Sequence, residues 1–235
     1  NKALLEIAGK PLVQWVIDAL NDSKTVETIT LVGLEDLSTL QSKKPLYSTP
    51  NAGNMYDNAM AGFAEIRRHK PDVGYVLVCG SDIPTITGDI VDWITSQAEG
   101  HEEVDAFYLA CSKETMDERF PGSNRSFYKL RNHAICGSDV HIFHSRMADD
   151  QDSMWVTLMN QRKNAFKQAQ IIGIGTLFSL IFRTATLESL AKAVGERLDL
   201  TAIPVLCPYG ETAMDVDKPE QYEMLKADLE LRLAQ

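Results

Sequence analysis

A run of apolar residues that ends in a carboxylate constrains the fold of this chain more than any other feature. Residues 74–79, GYVLVC, are apolar or nearly so, which is typical of a strand that is buried on both faces, as in a parallel sheet. Gly80 then ends the strand, and Pro84 has no amide donor with which to continue it. Asp82 therefore lies at the carboxyl end of a predicted central strand. Open α/β sheets bind ligands at such ends, and a carboxylate there suits a hard cation such as Mg²⁺.

The segments around this strand alternate between helix and strand. Apolar spacing predicts helices over residues 12–20, 54–67, 89–97 and 220–233, and strands over residues 28–32, 106–111 and 202–206. Residues 126–143 predict two short antiparallel strands, and helical segments are predicted between residues 155 and 190. This order predicts an α/β fold: a three-layer α/β/α, Rossmann-like, mainly parallel sheet with a small antiparallel excursion.

Charge and hydropathy limit the partners of such a fold. The formal net charge of −10, with no basic stripe, argues against general nucleic-acid binding, and an anionic small substrate would need local Lys or Arg residues or a metal. The longest apolar run, residues 171–182, would span about 18 Å as a helix, against about 30 Å for a bilayer core. It therefore predicts a buried or partner-facing helix rather than a membrane span.

The cysteines indicate the compartment. They occur without a CxxC pair or a metal-ligand spacing, which predicts reduced thiols and a cytoplasmic protein rather than a zinc site or a disulfide framework. No linker or repeat divides the chain, so we expect a single domain over residues 1–235 with an insertion at about residues 112–190. The sequence leaves a homo-oligomer open.

Three segments carry the chemistry of the chain: residues 2–12 (KALLEIAGKPL), residues 80–84 (GSDIP) and residues 214–222 (MDVDKPEQY). In this order and spacing they resemble the MobA-like (molybdenum-cofactor guanylyltransferase-like) NTP transferases, which share a nucleotide-diphospho-sugar transferase-like, glycosyltransferase-A type fold. The resemblance extends over nearly the whole chain, and DVDKPE is its most specific part. These families open with a strand and a Gly-rich phosphate-binding loop, which we expect upstream of residue 1.

The resemblance implies a nucleotidyltransferase that needs Mg²⁺. Such an enzyme moves an NMP from an NTP to a phosphorylated small molecule and releases pyrophosphate, mainly by positioning the groups and neutralising charge. The resemblance implies that Asp82 and Asp217 hold the metal, with Asp215 as a substitute ligand. Lys2 would offset charge on the triphosphate as a third catalytic residue, and Lys10 is a weaker candidate for the same role.

The resemblance also implies where the substrates bind. Nucleotide contacts are expected in the turn before Asp82 and in the loop before the second helix: Ser81, Pro50, Gly53, Asn54 and Asn58. The second substrate is expected near three residues beyond the central strand: Arg125, Gly137 and Ser138. Arg125 would pair with its phosphate.

Simpler roles compete with these assignments. Asp82 would also fit as a cap of the following turn, Asp217 as part of a helix N-terminus, and Asn54 as an ordinary N-cap. Two other functions compete as well. The Asp215–Asp217 pair matches the DxD motif of a metal-dependent glycosyltransferase that uses a nucleotide sugar, and a catalytically silent nucleotide-binding protein is the third candidate.

Overall fold

The computed structural model of the chain describes residues 1–149, 179 and 183–234. The chain starts with a 3₁₀ turn, Lys2–Leu4, followed by the short antiparallel strands β1 (Glu6–Ile7) and β2 (Lys10–Pro11). Ala8 and Gly9 join them with positive φ angles of 46° and 82°, as a tight two-residue hairpin requires.

The helices predicted along the first half of the chain and at its end occur with ends shifted by a few residues. The helices are α1 (Leu12–Asp22), α2 (Met55–His69), α3 (Gly88–Ser96), α4 (Lys113–Arg119), α5 (Leu187–Leu198) and α6 (Pro219–Leu233). The sequence does not predict α4, which is too short to show a clear period. The helical segments predicted between residues 155 and 190, with the apolar run 171–182, fall almost entirely outside the described residues, and α5 begins near their end.

The remaining strands are β3 (Ile29–Val32), β4 (Leu46–Thr49), β5 (Tyr75–Cys79), β6 (Ala106–Ser112), β7 (Tyr128–Lys129), β8 (Ala134–Gly137), β9 (Val140–His144) and β10 (Ala202–Cys207). β4 is a short strand that the sequence does not predict, and it pairs in parallel with β3. The predicted pair of strands between residues 126 and 143 is three strands, β7 to β9. The predicted insertion at about residues 112–190 stays a prediction.

A six-stranded sheet is organised around β6. β10 runs parallel to β6 along one edge, and β8 and β9 run antiparallel to it along the other. β5 pairs antiparallel with β9, and β7 pairs antiparallel with β8. The prediction of a mainly parallel sheet is not confirmed. Because the chain folds back after β7, β9 is inserted antiparallel between β5 and β6, so the antiparallel excursion reaches into the centre of the sheet.

A bulge separates β8 from β9. Gly137 is opposite Ala110 and Ile142 is opposite Phe107, so this stretch advances five residues while β6 advances three. The extra residues are Ser138 and Asp139. The Ser138 amide donates to the Leu109 carbonyl of β6 (3.1 Å), whereas both backbone groups of Asp139 bond outside β6. The Asp139 amide donates to the Thr212 carbonyl (2.7 Å), and the Asp139 carbonyl accepts from the Gly80 amide (2.8 Å). The bulge therefore ties the centre of the sheet to the segments that follow β5 and β10.

Hydrophobic clusters cover both faces of β6. Phe107, Leu109 and Cys111 belong to the main core, which contains apolar residues of α1, α3 and α6. Ala106 and Ala110, which point to the opposite face, belong to two smaller clusters that include residues of α2 and α5. The mixed α/β layering that the sequence predicts is therefore present around β6.

β5 is less enclosed than its apolar sequence predicts. Val76 is buried and the other four residues of the strand are partly exposed. β9 pairs with one edge of β5, and among the described residues no strand pairs with its other edge. No helix in the described part of the chain is long and apolar enough to cross a membrane.

Candidate functional site

Lys2, Asp82 and Asp217 meet at one point beyond the end of β5. Asp82 follows β5, and Asp217 lies between β10 and α6. The amide of Val216 donates to the carbonyl of Asp82 (3.0 Å), so the two segments are joined directly. The Lys2 Nζ atom is 2.6 Å from Asp82 Oδ2 and 2.6 Å from Asp217 Oδ1. The structure thus brings together the three residues that the sequence predicts as catalytic, although Lys2 and Asp217 are 215 residues apart.

The ion pairs of Lys2 with Asp82 and Asp217 keep Lys2 protonated and Asp217 ionised. Burial alone would lower the pKa of Lys2, but hydrogen bonds and charge from Asp217 and Asp82 outweigh it and raise that pKa. The hydrogen bond from Lys2 lowers the pKa of Asp217. At neutral pH the site therefore holds an ammonium group against an ionised carboxylate.

Gln221, rather than Asp217, caps the start of α6. The Gln221 Oε1 atom accepts hydrogen bonds from the amides of Asp217 (3.0 Å) and Lys218 (2.9 Å), and Gln221 is buried. This satisfies amide groups that the start of a helix leaves without partners inside the helix. The Asp217 carboxylate therefore does not cap the helix and contacts Lys2 instead.

A second ion cluster lies beside the first. The Arg125 guanidinium donates a hydrogen bond to Asp215 and lies 3.7 Å from Asp139 Oδ2. Burial raises the pKa of Asp215, with Arg125 opposing it and a hydrogen bond with Asp217 adding to it. Burial, reinforced by the charge of Asp215, raises the pKa of Asp139 to about 7. Asp139 Oδ2 is buried with no hydrogen-bond partner among the described residues.

Asp139 is a site residue that the sequence reasoning missed. It lies in the bulge between β8 and β9, where the backbone bonds to Gly80 and Thr212 hold it near the other acidic residues. The available signal was Gly137 followed by Ser138, which interrupts an apolar strand pattern. Arg125, predicted to pair with a substrate phosphate, contacts two carboxylates in the structure, and its role toward a substrate stays a prediction.

The acidic residues fit a divalent cation. One carboxylate oxygen from each of Asp82, Asp215 and Asp217 lies within 4.8 Å of the other two. Oxygens on opposite sides of a Mg²⁺ ion are about 4.2 Å apart, twice the usual Mg–O distance of about 2.1 Å, so small side-chain movements would bring all three into range. Asp82, Asp215 and Asp217 supply three carboxylates against the two cations Lys2 and Arg125, so the acidic groups of the cluster outnumber its basic groups.

The residues predicted for the second substrate have neighbours within the fold. The Ser138 hydroxyl donates to the Thr212 carbonyl (3.0 Å) and accepts from the Val140 amide (3.1 Å). A Cβ atom on Gly137 would lie 3.2 Å from the Tyr108 hydroxyl, so the backbone of β8 approaches that ring closely. Their contacts with a substrate stay predictions.

The predicted nucleotide loop is held by its own asparagines. Asn54 caps α2 by accepting from the Asp57 amide (2.9 Å), and Asn58 Oδ1 accepts from the Ala52 amide (2.7 Å). Gly53 has a φ of +108°, which favours glycine. Pro50 follows β4 at the start of the loop, and contacts of these residues with a nucleotide stay predictions. Ser81 is in the turn directly before Asp82.

Lys10 contacts other residues than the acidic cluster. Its ammonium group is 2.6 Å from Asp18 Oδ2 and lies 4.4 Å from the centroid of a Trp15 ring. It lines an open groove of about 430 Å³ together with residues of α1 and with Arg232. Its predicted contact with the triphosphate therefore has no support from these contacts and stays a prediction.

Comparisons with known proteins agree with the geometry. A family model for the MobA-like NTP transferase domain matches residues 1–202. A hypothetical transferase from Thermus thermophilus superimposes with a TM-score of 0.81 at 25% identity, covering 94% of this chain and 90% of the other. CMP:2-keto-3-deoxy-manno-octonic acid synthetase complexed with CTP gives 0.62 at 14% identity, with coverages of 98% and 92%. The 4-diphosphocytidyl-2C-methyl-D-erythritol synthase of Anaerococcus prevotii DSM 20548 gives 0.56 at 12% identity, with coverages of 95% and 88%.

The structures below 25% identity share the fold of this chain. No curated protein sequence matches the chain significantly.

Proposed function

The chain belongs to the MobA-like NTP transferase domain family, and we propose that it is a Mg²⁺-dependent nucleotidyltransferase that acts on a phosphorylated small molecule. The attacking phosphate oxygen displaces pyrophosphate from the α-phosphorus of the NTP, and the NMP becomes part of a nucleotide diphospho-conjugate. The nucleophile is already an anion, so the reaction needs no general base from the protein.

The main support for this proposal is the pair of ion pairs that Lys2 makes with Asp82 and Asp217, in which both oxygen–nitrogen distances are 2.6 Å. Two carboxylates that follow separate strands, β5 and β10, converge on one cation position, which supports a metal clamp. Bound Mg²⁺ would supply positive charge between the triphosphate and the carboxylates, with Asp215 as a third donor. Lys2 would neutralise and orient the triphosphate beside that clamp.

The remaining assignments extend this proposal. The nucleotide would lie along the loop from Pro50 to Asn58 and the turn at Ser81, and the acceptor near Arg125, Gly137 and Ser138. CTP is the first nucleotide to test because two structural relatives are named for cytidine compounds. The four cysteines are free thiols in the structure, which supports the cytoplasm as the location. We propose that the chain acts as one domain.

The test is pyrophosphate release. The purified chain is incubated with Mg²⁺, each of the common NTPs in turn and a panel of sugar phosphates and other phosphorylated metabolites. Asp82→Asn and Asp217→Asn should each lower the rate by about 10²-fold or more, the usual cost of removing one charge-stabilising group. Asp22→Asn, which removes an exposed carboxylate paired with Lys43, is the matched control and should leave the rate unchanged. Equal rates in wild type and both site variants would refute the proposal.

Pyrophosphate release, together with sugar release and NTP binding, separates the proposed function from the two alternatives. Asp215 and Asp217 both lie in the cluster, as the DxD pair of a glycosyltransferase would. Sugar release from a nucleotide sugar without pyrophosphate release from any NTP would therefore indicate a glycosyltransferase. NTP binding without either reaction would indicate a catalytically silent nucleotide-binding protein.

A further inference from the structure

Lys2 lies between the two carboxylates where the proposed metal ion would bind. Its Nζ atom contacts Asp82 Oδ2 and Asp217 Oδ1 at 2.6 Å each. These carboxylates belong to the set whose oxygens can converge on a single ion. Since the Lys2 side chain is 43% exposed, the ammonium group is held there by charge rather than by enclosing residues.

An ammonium group and a divalent ion cannot contact these two oxygens at the same time. Mg²⁺ binds carboxylate oxygens at about 2.1 Å, inside the volume that an ammonium group 2.6 Å from both oxygens occupies. Two cations so close would also repel each other strongly, because Coulomb repulsion rises as their separation falls. Arg125 compensates Asp215 and the partly exposed Asp139, so it leaves Lys2 as the cation that pairs with Asp82 and Asp217.

We propose that Lys2 is a placeholder for the metal ion. In the protein without substrates it neutralises Asp82 and Asp217, and a divalent ion binds by displacing its ammonium group. The displaced group, on a flexible side chain, is then free to bind the phosphates of the nucleotide that the ion also contacts. Metal binding and nucleotide binding are thereby coupled through one side chain. This inference rests on the proposed function, because it assumes the metal clamp.

If the metal ion must displace the Lys2 ammonium group, removing Lys2 should strengthen metal binding rather than weaken it. A lysine that only helps to bind nucleotide would leave the affinity of the empty protein for metal unchanged. A lysine that must be displaced weakens that affinity, so Lys2→Met should bind the ion more tightly. The expected gain is about tenfold, within the range of ordinary coupling between two sites.

The first experiment measures Mn²⁺ binding to the full chain without nucleotide, by the electron paramagnetic resonance signal of free Mn²⁺. Lys2→Met should lower the dissociation constant about tenfold relative to wild type. Lys43→Met is the matched control, since it removes an ammonium group from an exposed pair with Asp22 and should change nothing. Asp82→Asn should weaken binding strongly.

A second experiment keeps the wild-type sequence and so does not depend on the folding of a variant. Amine acylation of Lys2 is followed by peptide mass spectrometry. Mg²⁺ alone should increase the acylation of Lys2 severalfold by releasing it from the carboxylates, and pyrophosphate added with Mg²⁺ should protect it again. Lys43 should react equally in all three conditions.

Two results would overturn the inference. One is a Lys2→Met variant that binds Mn²⁺ no more tightly than wild type, and the other is Lys2 acylation that does not rise with Mg²⁺. If pyrophosphate release still depends on Asp82 and Asp217, the proposed function survives either result. If no form of the protein binds Mn²⁺ and no NTP yields pyrophosphate, the inference and the proposed function fail together.

Discussion

Replacing Asp139 by Asn should stabilise the protein, and the gain should grow with pH. Burial and the nearby Asp215 raise the pKa of Asp139 to about 7, from 3.8 for an ordinary Asp. The folded protein therefore holds a proton on Asp139 that the unfolded chain has already lost. Stability contributed by the neutral carboxyl is fully present below about pH 4 and is lost as the pH rises toward 7. Asn resembles the neutral form and does not ionise, so the variant escapes this loss.

The magnitude follows from the two pKa values. Their difference of about 3 corresponds to about 4 kcal/mol in the free energy of unfolding at pH 8. Because 34% of the Asp139 side chain is exposed, solvent screening reduces this to about 1–2 kcal/mol. For a chain of this size, 1 kcal/mol corresponds to about 2–4 °C in Tm. We therefore expect the Tm of Asp139→Asn to exceed that of wild type by about 4 °C at pH 8, and by little at pH 4.5.

The assay is thermal unfolding followed by circular dichroism between pH 4.5 and 8.5, with a chelator to remove divalent ions. Asp22→Asn, at an exposed carboxylate paired with Lys43, is the control and should change the Tm little, because an exposed ion pair contributes little to stability. A difference in Tm that stays constant with pH, or that shrinks as the pH rises, would refute the reasoning about Asp139.

Three further changes test the fold around the site. Gly88→Ala places a Cβ atom 2.8 Å from the backbone carbon of Asp22 and should cost about 1–3 kcal/mol of unfolding free energy, measured in urea. Leu225→Ala removes a fully buried side chain of α6 from the main core and should cost about 2–5 kcal/mol by the same method. Gln221→Ala leaves the start of α6 without its acceptor, which should cost about 1 kcal/mol and also weaken Mn²⁺ binding by loosening Asp217.

Each of these changes has a discriminating outcome. Gly74→Ala is the control for Gly88, since a Cβ atom there meets nothing within 4 Å, and equal losses at the two positions would contradict the steric argument. A loss below about 1 kcal/mol for Leu225→Ala would mean that α6 is not anchored in the core as the structure has it. Gln221→Glu keeps a side-chain oxygen that can accept from the Asp217 and Lys218 amides, so it should restore the Mn²⁺ affinity that Gln221→Ala loses. Failure to restore that affinity would contradict the role given to this hydrogen bond.

Local patterns in the sequence were sufficient for the helices and for part of the site. The helical period placed α1, α2, α3 and α6 within a few residues of their observed positions. The apolar run before Gly80 predicted β5 and put Asp82 just beyond it, because a strand and its end are set by neighbouring residues. The segment DVDKPE marked Asp217, and the resemblance linked it to Lys2.

Contacts between distant segments could not be predicted in the same way. Ser138 reads as a polar residue in a strand, and only the pairing of β8 and β9 with β6 shows that it belongs to a bulge beside Asp139. The resemblance assigns Arg125 to a substrate phosphate, whereas the fold pairs it with Asp215, which is 90 residues away in the sequence. The alternation of side chains along β9 is the same whether the strand runs parallel or antiparallel to its neighbours. The sequence pattern therefore could not show that β9 is inserted antiparallel between β5 and β6.

The sequence by itself determined most of the helices and strands, the family and the acidic residues Asp82, Asp215 and Asp217, since these depend on periodicity and on short motifs. The tertiary structure alone decided that Lys2 holds Asp82 and Asp217 together, that Gln221 and not Asp217 caps α6, and that Arg125 lies against Asp215 and Asp139. The reason is physical. The charge state and the partner of each of these groups depend on burial and on segments up to 215 residues apart, which become neighbours only when the sheet and its bulge have formed.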